Sequence, residues 1–187
     1  MSANAREDIL SAAKLSAQAH GYAGLNFRDL AQQVGIKAAS IHYYFPSKAD
    51  LATAVAKRYW EDAAAYLESL LQNSAKPLDA LRHYPETFRW ALENENRICL
   101  CSFMSAQFDD LPDEVKTEVQ VFTEVNLAWL KKTLVAAKVA SPKEAGKRAH
   151  AIYSAIVGAQ LVARSRADIA LYDNLIESYR IAGLLPA

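Results

Sequence analysis

Apolar side chains recur every three or four residues along most of the chain, which is the spacing of one face of an amphipathic helix. The first such segment, residues 5–20, places Ile9, Ala13 and Ala17 on one face and ends before Gly21. No segment shows the alternation of apolar and polar residues that indicates a half-buried β-strand. The pattern therefore predicts an all-α fold.

Turn and capping residues divide this helical pattern into about nine segments. Asn26 and Ser47 are good N-caps, and Gly35 is suited to end a helix in a left-handed turn. The predicted helices cover residues 5–20, 27–34, 38–44, 48–72, 77–93, 98–108, 113–137, 143–164 and 169–181. We expect a small three-helix head over residues 1–50 and a larger helical body over residues 51–187.

The second and third predicted helices are short, are joined through Gly35 and follow a longer supporting helix. This is the spacing of a helix-turn-helix, in which the second helix of the pair enters the major groove of DNA. The spacing alone is weakly specific, because short adjacent helices occur in many all-α proteins. The charge distribution agrees with it: residues 1–60 carry a net charge of +3, whereas the whole chain is neutral.

The residues around this helix pair carry a more specific signal. Over about 50 positions, the sequence resembles the TetR/AcrR family of transcriptional regulators in segments 21–31, 34–36 and 40–51. His42 stands where the family most often has Tyr. Ala38 and Ala39 replace residues that are commonly polar or Gly, which reduces the number of side-chain donors for base edges.

The resemblance implies a DNA-binding head and a body for effector binding and dimerisation. It implies a homodimeric repressor that binds a palindromic operator and is released by a small-molecule or electrophile effector. By position, it assigns DNA contacts to Asn26, Arg28, Lys37, Ala38, Ala39, Ser40, His42, Tyr43, Tyr44 and Lys48. Among these, Arg28 suits a bidentate contact with guanine, and the alanine methyls suit a thymine methyl.

Each DNA-contact assignment has a structural alternative. Asn26, Tyr43 and Lys48 are expected to contact phosphates, which position the protein without specifying sequence, but Lys48 alone would be an ordinary surface lysine. His42 suits either groove contact or local packing. Phe45 is expected in the core, and the row of two tyrosines beside His42 is too long for all of it to be buried.

The body carries two further candidate sites. The effector-pocket candidates are Phe88, Cys99, Phe103, Met104, Phe122, Trp129 and Arg164. Ordinary bundle packing is the alternative for each, and it is expected to account for most of the aromatic and methionine side chains. Wide apolar faces on the last two helices predict association of two chains, with interface candidates Ile152, Ile156, Leu161, Leu171, Leu175 and Tyr179.

The sequence Cys99-Leu100-Cys101 resembles an electrophile-responsive, NemR-like subgroup of that family. If Cys99 is a sensor, a nearby cation such as Arg97 or Arg164 is expected to lower its pKa. The alternative is an inert buried thiol. We expect both cysteines to be reduced, because side chains two apart on a helix diverge and cannot form a good disulfide.

Other functional classes receive little support. No Gly-rich phosphate loop or metal-ligand spacing is present, and the four histidines are scattered, so we expect neither an enzyme nor a metal or other cofactor. A helical protein-protein adaptor without specific DNA binding, or a Cys-dependent enzyme, are the alternatives. The N-terminus lacks a secretion signal and no segment is long and apolar enough to suggest a membrane span, which favours a cytoplasmic protein.

Overall fold

In a computed structural model, which describes residues 3–187, the chain is helical, as predicted. Ten α-helices and two short 3₁₀ turns form the regular structure of these residues. The helices are α1 Ala3–His20, α2 Phe27–Val34, α3 Ala38–Tyr44, α4 Lys48–Asn73, α5 Pro77–His83, α6 Glu86–Glu93, α7 Leu100–Ser105, α8 Asp113–Ala136, α9 Ala145–Ser165 and α10 Ile169–Ile181. The 3₁₀ turns are Gly21–Gly24 and Phe108–Asp110. None of the helices in this part of the chain is long and apolar enough to cross a membrane.

The single helix predicted over residues 77–93 is divided at Tyr84 and Pro85 into α5 and α6. Proline cannot donate a backbone hydrogen bond, and its ring clashes with the preceding helical turn. The Pro85 carbonyl instead starts α6 by accepting from the amides of Phe88 and Arg89, at 3.1 and 3.2 Å. The same carbonyl accepts the Tyr172 hydroxyl at 2.7 Å, which ties α10 to this break.

The chain forms two compact units. The first joins the chain up to Glu61 with Cys99–Phe122, and the second joins Asp62–Ile98 with Thr123–Ala187. Helices α4 and α8 each begin in the first unit and end in the second. The boundary predicted between residues 50 and 51 divides the chain by function and remains a prediction. The compact first unit also contains the start of α4, all of α7 and the start of α8.

Aliphatic side chains from the first four helices form the core of the first unit. Ile9 of α1, Leu30 of α2, Ile41 of α3 and Leu51 of α4 are completely buried. Burying an aliphatic side chain of this size stabilises the folded state by about 1.5–3 kcal/mol. Helices α1 to α4 therefore each bury an aliphatic side chain in this core, and α2 packs against both α1 and α3.

The C-terminal end of α1 is fixed against α7 at Gly21. The Tyr22 amide donates a 2.9 Å hydrogen bond to Oε1 of Gln107. Gly21 itself has φ of 63°. A Cβ placed there would lie 2.1 Å from Gln107 Oε1 and 2.8 Å from the Phe103 ring. This position therefore requires glycine both for its backbone conformation and for the space available.

We expect Gly21→Ala to lower the free energy of unfolding by about 1–3 kcal/mol, because it adds left-handed strain and displaces Gln107. Urea denaturation followed by circular dichroism measures the change. The matched control is Gly146→Ala in α9, where a Cβ meets no neighbouring atom and helix propensity should raise stability slightly. Equal effects of the two substitutions would show that Gly21 is not closely packed.

The core of the second unit is a chain of aromatic rings. The Tyr84 ring stacks on Trp129 with centroids 5.4 Å apart and meets Phe88 edge-on at 5.9 Å. The Tyr84 hydroxyl donates a 2.8 Å hydrogen bond to Oδ1 of Asn126. Phe88 also meets the ring of Tyr153 on α9 at 6.2 Å. Helices α6, α8 and α9 are thus joined through rings, and the Tyr84 hydroxyl is paired inside the core.

Candidate nucleic-acid interface

Helix α3 is anchored by one side chain and exposes most of the others. Ile41 is buried beneath it, and Phe45, directly after it, is buried as predicted. The exposed side chains on and beside the helix are Lys37, Ala38, Ala39, His42 and Tyr43, while Ser40 and Tyr44 are half-buried. Tyr43 is 70 % exposed. The segment thus forms a short helical rod with one buried face, which is the form that groove insertion requires.

The two ends of α2 are set by residues that the sequence identifies correctly. Oδ1 of Asn26 accepts hydrogen bonds from the amides of Arg28 and Asp29, at 2.9 and 3.3 Å, and so caps α2. Gly35 ends α2 with φ of 75°, a left-handed conformation that favours glycine. A phosphate contact by Asn26 remains a prediction, and its side-chain oxygen is already used by the cap. Arg28 is exposed at the start of α2.

His42 packs locally but stays exposed, so a groove contact by this residue remains a prediction. Its ring meets Phe27 of α2 edge-on, with centroids 4.6 Å apart, and its Nδ1 lies 3.4 Å from the Pro46 carbonyl oxygen. The imidazole is nevertheless exposed. Packing therefore orients His42 without covering it. Tyr43 and Tyr44 also meet edge-on at 5.1 Å, so each restricts the motion of the other ring.

Lys48 begins α4 beside this surface. The predicted N-cap is present: Oγ of Ser47 accepts the Asp50 amide at 3.1 Å, and the Asp50 carboxylate accepts the Ser47 amide at 3.0 Å. The Lys48 ammonium lies 4.3 Å from the centroid of the Tyr22 ring, and burial lowers the pKa of Lys48. The N-terminal end of a helix attracts anions. Lys48 lies at such a helix end, and its contact with a phosphate remains a prediction.

Tyr22 is a contributor that the sequence reasoning missed. Burial and the negative charge of Glu114 raise the pKa of its phenol. Its backbone is bonded to Gln107 and its ring supports Lys48. Only the spacing of an aromatic residue and a lysine across the helix-turn-helix could have suggested the pair, and that spacing is not diagnostic. The Tyr22 ring thus contacts the Lys48 ammonium, and Gln107, just after α7, fixes the Tyr22 backbone.

Comparison with known proteins agrees with this geometry. Residues 9–55 match the family model described as bacterial regulatory proteins, tetR family. This range contains the buried anchors, both caps and all of α3. The N-terminal part of the chain thus matches the tetR family, and the chain has the domain and the fold of a DNA-binding transcriptional regulator. No curated protein matched the chain.

Solved structures extend the likeness over nearly the whole chain. A TetR transcriptional regulator from Legionella pneumophila is 28% identical, with a TM-score of 0.88, over 95% of this chain and 96% of that one. A TetR-family regulator from Agrobacterium tumefaciens is 27% identical, with a TM-score of 0.88, over 96% and 97% of the two chains. The reduced form of E. coli NemR is 20% identical, with a TM-score of 0.80, over 95% and 96%, which shows a shared fold alone.

The predicted effector-pocket residues are divided between the two units. Cys99, Phe103, Met104 and Phe122 belong to the first, and Phe88, Trp129 and Arg164 belong to the second. Within the first, the Phe122 ring lies 5.3 Å from Tyr59. Within the second, Phe88 and Trp129 both contact Tyr84. Among residues 3–187, no three His, Cys, Asp or Glu side chains lie close enough to hold a metal ion.

The expected lowering of the Cys99 pKa is wrong. Both cysteines are free and buried. Burial raises the pKa of Cys99, and hydrogen bonds involving Ser102 and Tyr59 oppose that rise without overcoming it. The guanidinium of Arg97 is engaged elsewhere, with the Asn94 carbonyl at 3.1 Å and with the Glu95 carboxylate at 2.6 Å. Cys99 therefore has the environment of an unreactive thiol.

The predicted dimer residues also divide into two groups. Ile152 and Ile156 are completely buried within one protomer, so their assignment to the interface is wrong: they pack in the core. Leu161 is 56 % exposed, and Leu171, Leu175 and Tyr179 are half-buried. Val162, which the sequence reasoning missed, is 45 % exposed beside Leu161.

Proposed function

We propose that this regulator is a homodimeric repressor that binds a palindromic operator and releases it when a small molecule binds the body. In this proposal, residues 1–50 form the DNA-binding domain and residues 51–187 bind the effector and the second protomer. The observation that carries the proposal is α3, a rod that is anchored by Ile41 and exposes Ala38, Ala39, His42 and Tyr43. A twofold dimer would set two such rods about 34–36 Å apart, one turn of B-DNA.

The contacts with DNA follow from what each exposed group can do. Arg28 offers a planar fork of donors that suits guanine, and the methyl groups of Ala38 and Ala39 suit thymine. Lys37, Ser40, Tyr43 and Lys48 offer donors to phosphate oxygens. Because α3 has few donors for base edges, Arg28 supplies most of the discrimination between base pairs in this proposal.

The dimer surface is supported by one face of α9. Residues 151, 154, 158, 161 and 162 lie at spacings of three and four, so they share a side of that helix. This side carries small residues followed by the exposed Leu161 and Val162. Small residues allow two helices to approach closely, and the exposed aliphatic pair supplies apolar area that a second copy would bury.

For the effector, we propose a small molecule held by the aromatic core of the body rather than an electrophile captured by Cys99. Trp129 is buried, and its indole Nε1 has no hydrogen-bond acceptor in the described part of the chain. An unpaired buried donor costs about 1–3 kcal/mol. A ligand that offers an acceptor to this group would recover that free energy, whereas the raised pKa of Cys99 disfavours thiolate attack.

A gel-shift measurement tests the DNA-binding part of the proposal. The full-length protein should shift duplex DNA taken from the region flanking its own gene, and an excess of random duplex should not compete for it. A sequence selected from random DNA should be a palindrome, and affinity should fall steeply with salt concentration because phosphate contacts release counterions. No preference for any sequence over random duplex would overturn the proposal.

A further inference from the structure

An open groove lies on the second unit, between the C-terminal part of α4 and helices α5 and α6. Its volume is about 430 Å³, which is within the range of small-molecule sites. Tyr66, Leu70 and Asn73 form one wall, and their spacing of four and three residues places them on one face of α4. The facing wall carries Glu86 and other residues of the α5–α6 segment.

One aromatic ring lines this groove, and a second packs against that ring. Tyr66 lines the groove and meets the indole of Trp90 edge-on, with ring centroids 4.9 Å apart. Trp90 is 46 % exposed, so a large part of its indole is not used in the core. Trp90 follows Glu86 by one helical turn on α6, which places the ring and the carboxylate on the same side of that helix. The groove therefore combines ring surface with a negative charge.

The charge of the groove is acidic and only partly compensated. Its lining includes the carboxylates of Asp79 and Glu86 and contains neither Lys nor Arg. Asp79 is paired with Arg82 at 3.1 Å. The partner of Glu86 is His83, whose Nδ1 lies 3.0 Å from Oε1 and which carries a charge only when protonated. Burial and, to a lesser extent, the negative charge of Glu86 raise the pKa of the Tyr66 phenol, in agreement with a carboxylate near that ring.

We propose that this groove binds a small organic cation with alkyl substituents on nitrogen, seated between Glu86 and the Tyr66–Trp90 ring pair. The negative faces of Tyr and Trp rings attract a cation, by about 0.5–1 kcal/mol at an exposed site. An alkylated ammonium ion is weakly hydrated and needs no hydrogen-bond acceptor. Rings and one carboxylate therefore suffice to bind it. The site is separate from DNA binding, so its test requires no operator.

Three probes separate the contributions of charge and shape. Full-length protein labelled with ¹⁵N is titrated with tetramethylammonium chloride, with tert-butanol as a neutral molecule of similar shape, and with potassium chloride as an inorganic cation. The indole N–H resonance of Trp90, assigned by its loss in Trp90→Phe, reports binding. We expect saturable shifts with tetramethylammonium and at least about tenfold weaker binding of tert-butanol. Potassium should give no saturable shift.

Variants locate the site. Glu86→Gln should weaken tetramethylammonium binding by at least about fivefold, and Tyr66→Leu should do the same while leaving the carboxylate in place. Glu93→Gln, on the same helix but paired with Arg89, should bind as the unmodified protein does. Thermal melting confirms that each variant is folded. Equal affinity for tert-butanol and tetramethylammonium, no saturation with any probe, or unchanged binding by Glu86→Gln would each overturn the proposal.

Discussion

Lys48→Glu is expected to lower the affinity for the operator by roughly 100-fold. A hydrogen bond with a charged group contributes about 1.5–3 kcal/mol. A dimer loses two such contacts, so the binding free energy should fall by at least about 3 kcal/mol, which corresponds to roughly 100-fold in affinity. The new carboxylate also repels phosphate at the start of α4, where the helix end would otherwise attract it. The dependence of log affinity on log salt should become shallower by about two, since each lost phosphate contact removes about 0.9.

The control is Lys143→Glu, which makes the same charge change at an exposed lysine of the second unit. It should leave both the affinity and the salt dependence close to those of the unmodified protein. Tyr22→Leu removes the ring beneath the ammonium and should give a smaller loss than Lys48→Glu, because the charge remains. If Lys48→Glu binds the operator normally and with unchanged salt dependence, Lys48 does not contact phosphate.

The double substitution Leu161→Glu, Val162→Glu is expected to convert the dimer to a monomer. Both side chains are about half exposed in one protomer. The protomer should therefore fold normally, while pairing would force four carboxylates into an apolar contact. Each half of a palindrome would then be bound by a separate monomer. Affinity for the operator should fall by at least about 100-fold, because the second DNA-binding head is no longer held close by the first.

Light scattering coupled to gel filtration measures the change of mass, and a gel shift measures the loss of affinity. Ala65→Glu is the control, since it places a carboxylate at an exposed position on α4 and should leave the dimer intact. A variant at Leu161 and Val162 that remains dimeric would place the interface on another surface. Unfolding of the variant, seen by circular dichroism, would instead show that these side chains support the protomer itself, contrary to their exposure.

The sequence was most informative where structure depends on neighbouring residues. The caps at Asn26 and Ser47 and the left-handed end at Gly35 are local hydrogen-bonding features, and all three are present as predicted. Burial of Phe45 was also predicted, because the residue that directly follows such a short helix packs near the core of the small bundle. The division at Pro85 was not predicted. The missing amide of proline indicates such a break, but the apolar spacing on both sides favoured one continuous helix.

The errors arise where the outcome depends on distant parts of the chain. Helix α9 is apolar on more than one side, so its periodicity could not tell which side packs inside the protomer. Ile152 and Ile156 face the core and Leu161 faces outward. The environment of Cys99 depends likewise on Tyr59, forty residues earlier. The groove at Tyr66 and Trp90 joins two helices that no motif connects.

The bond between Tyr22 and Gln107 limits how far the head can be treated as a module. A fragment ending at Glu61 would leave that amide without its acceptor and would expose the surface of Gly21 that Phe103 and Gln107 cover. Transfer of the DNA-binding head to another regulator would therefore succeed only if residues 99–122 were transferred as well. A chimera of two related regulators should accordingly fold only if the contact of Gly21 and Tyr22 with Phe103 and Gln107 is kept. This should hold even where the helix that enters the groove is exchanged freely.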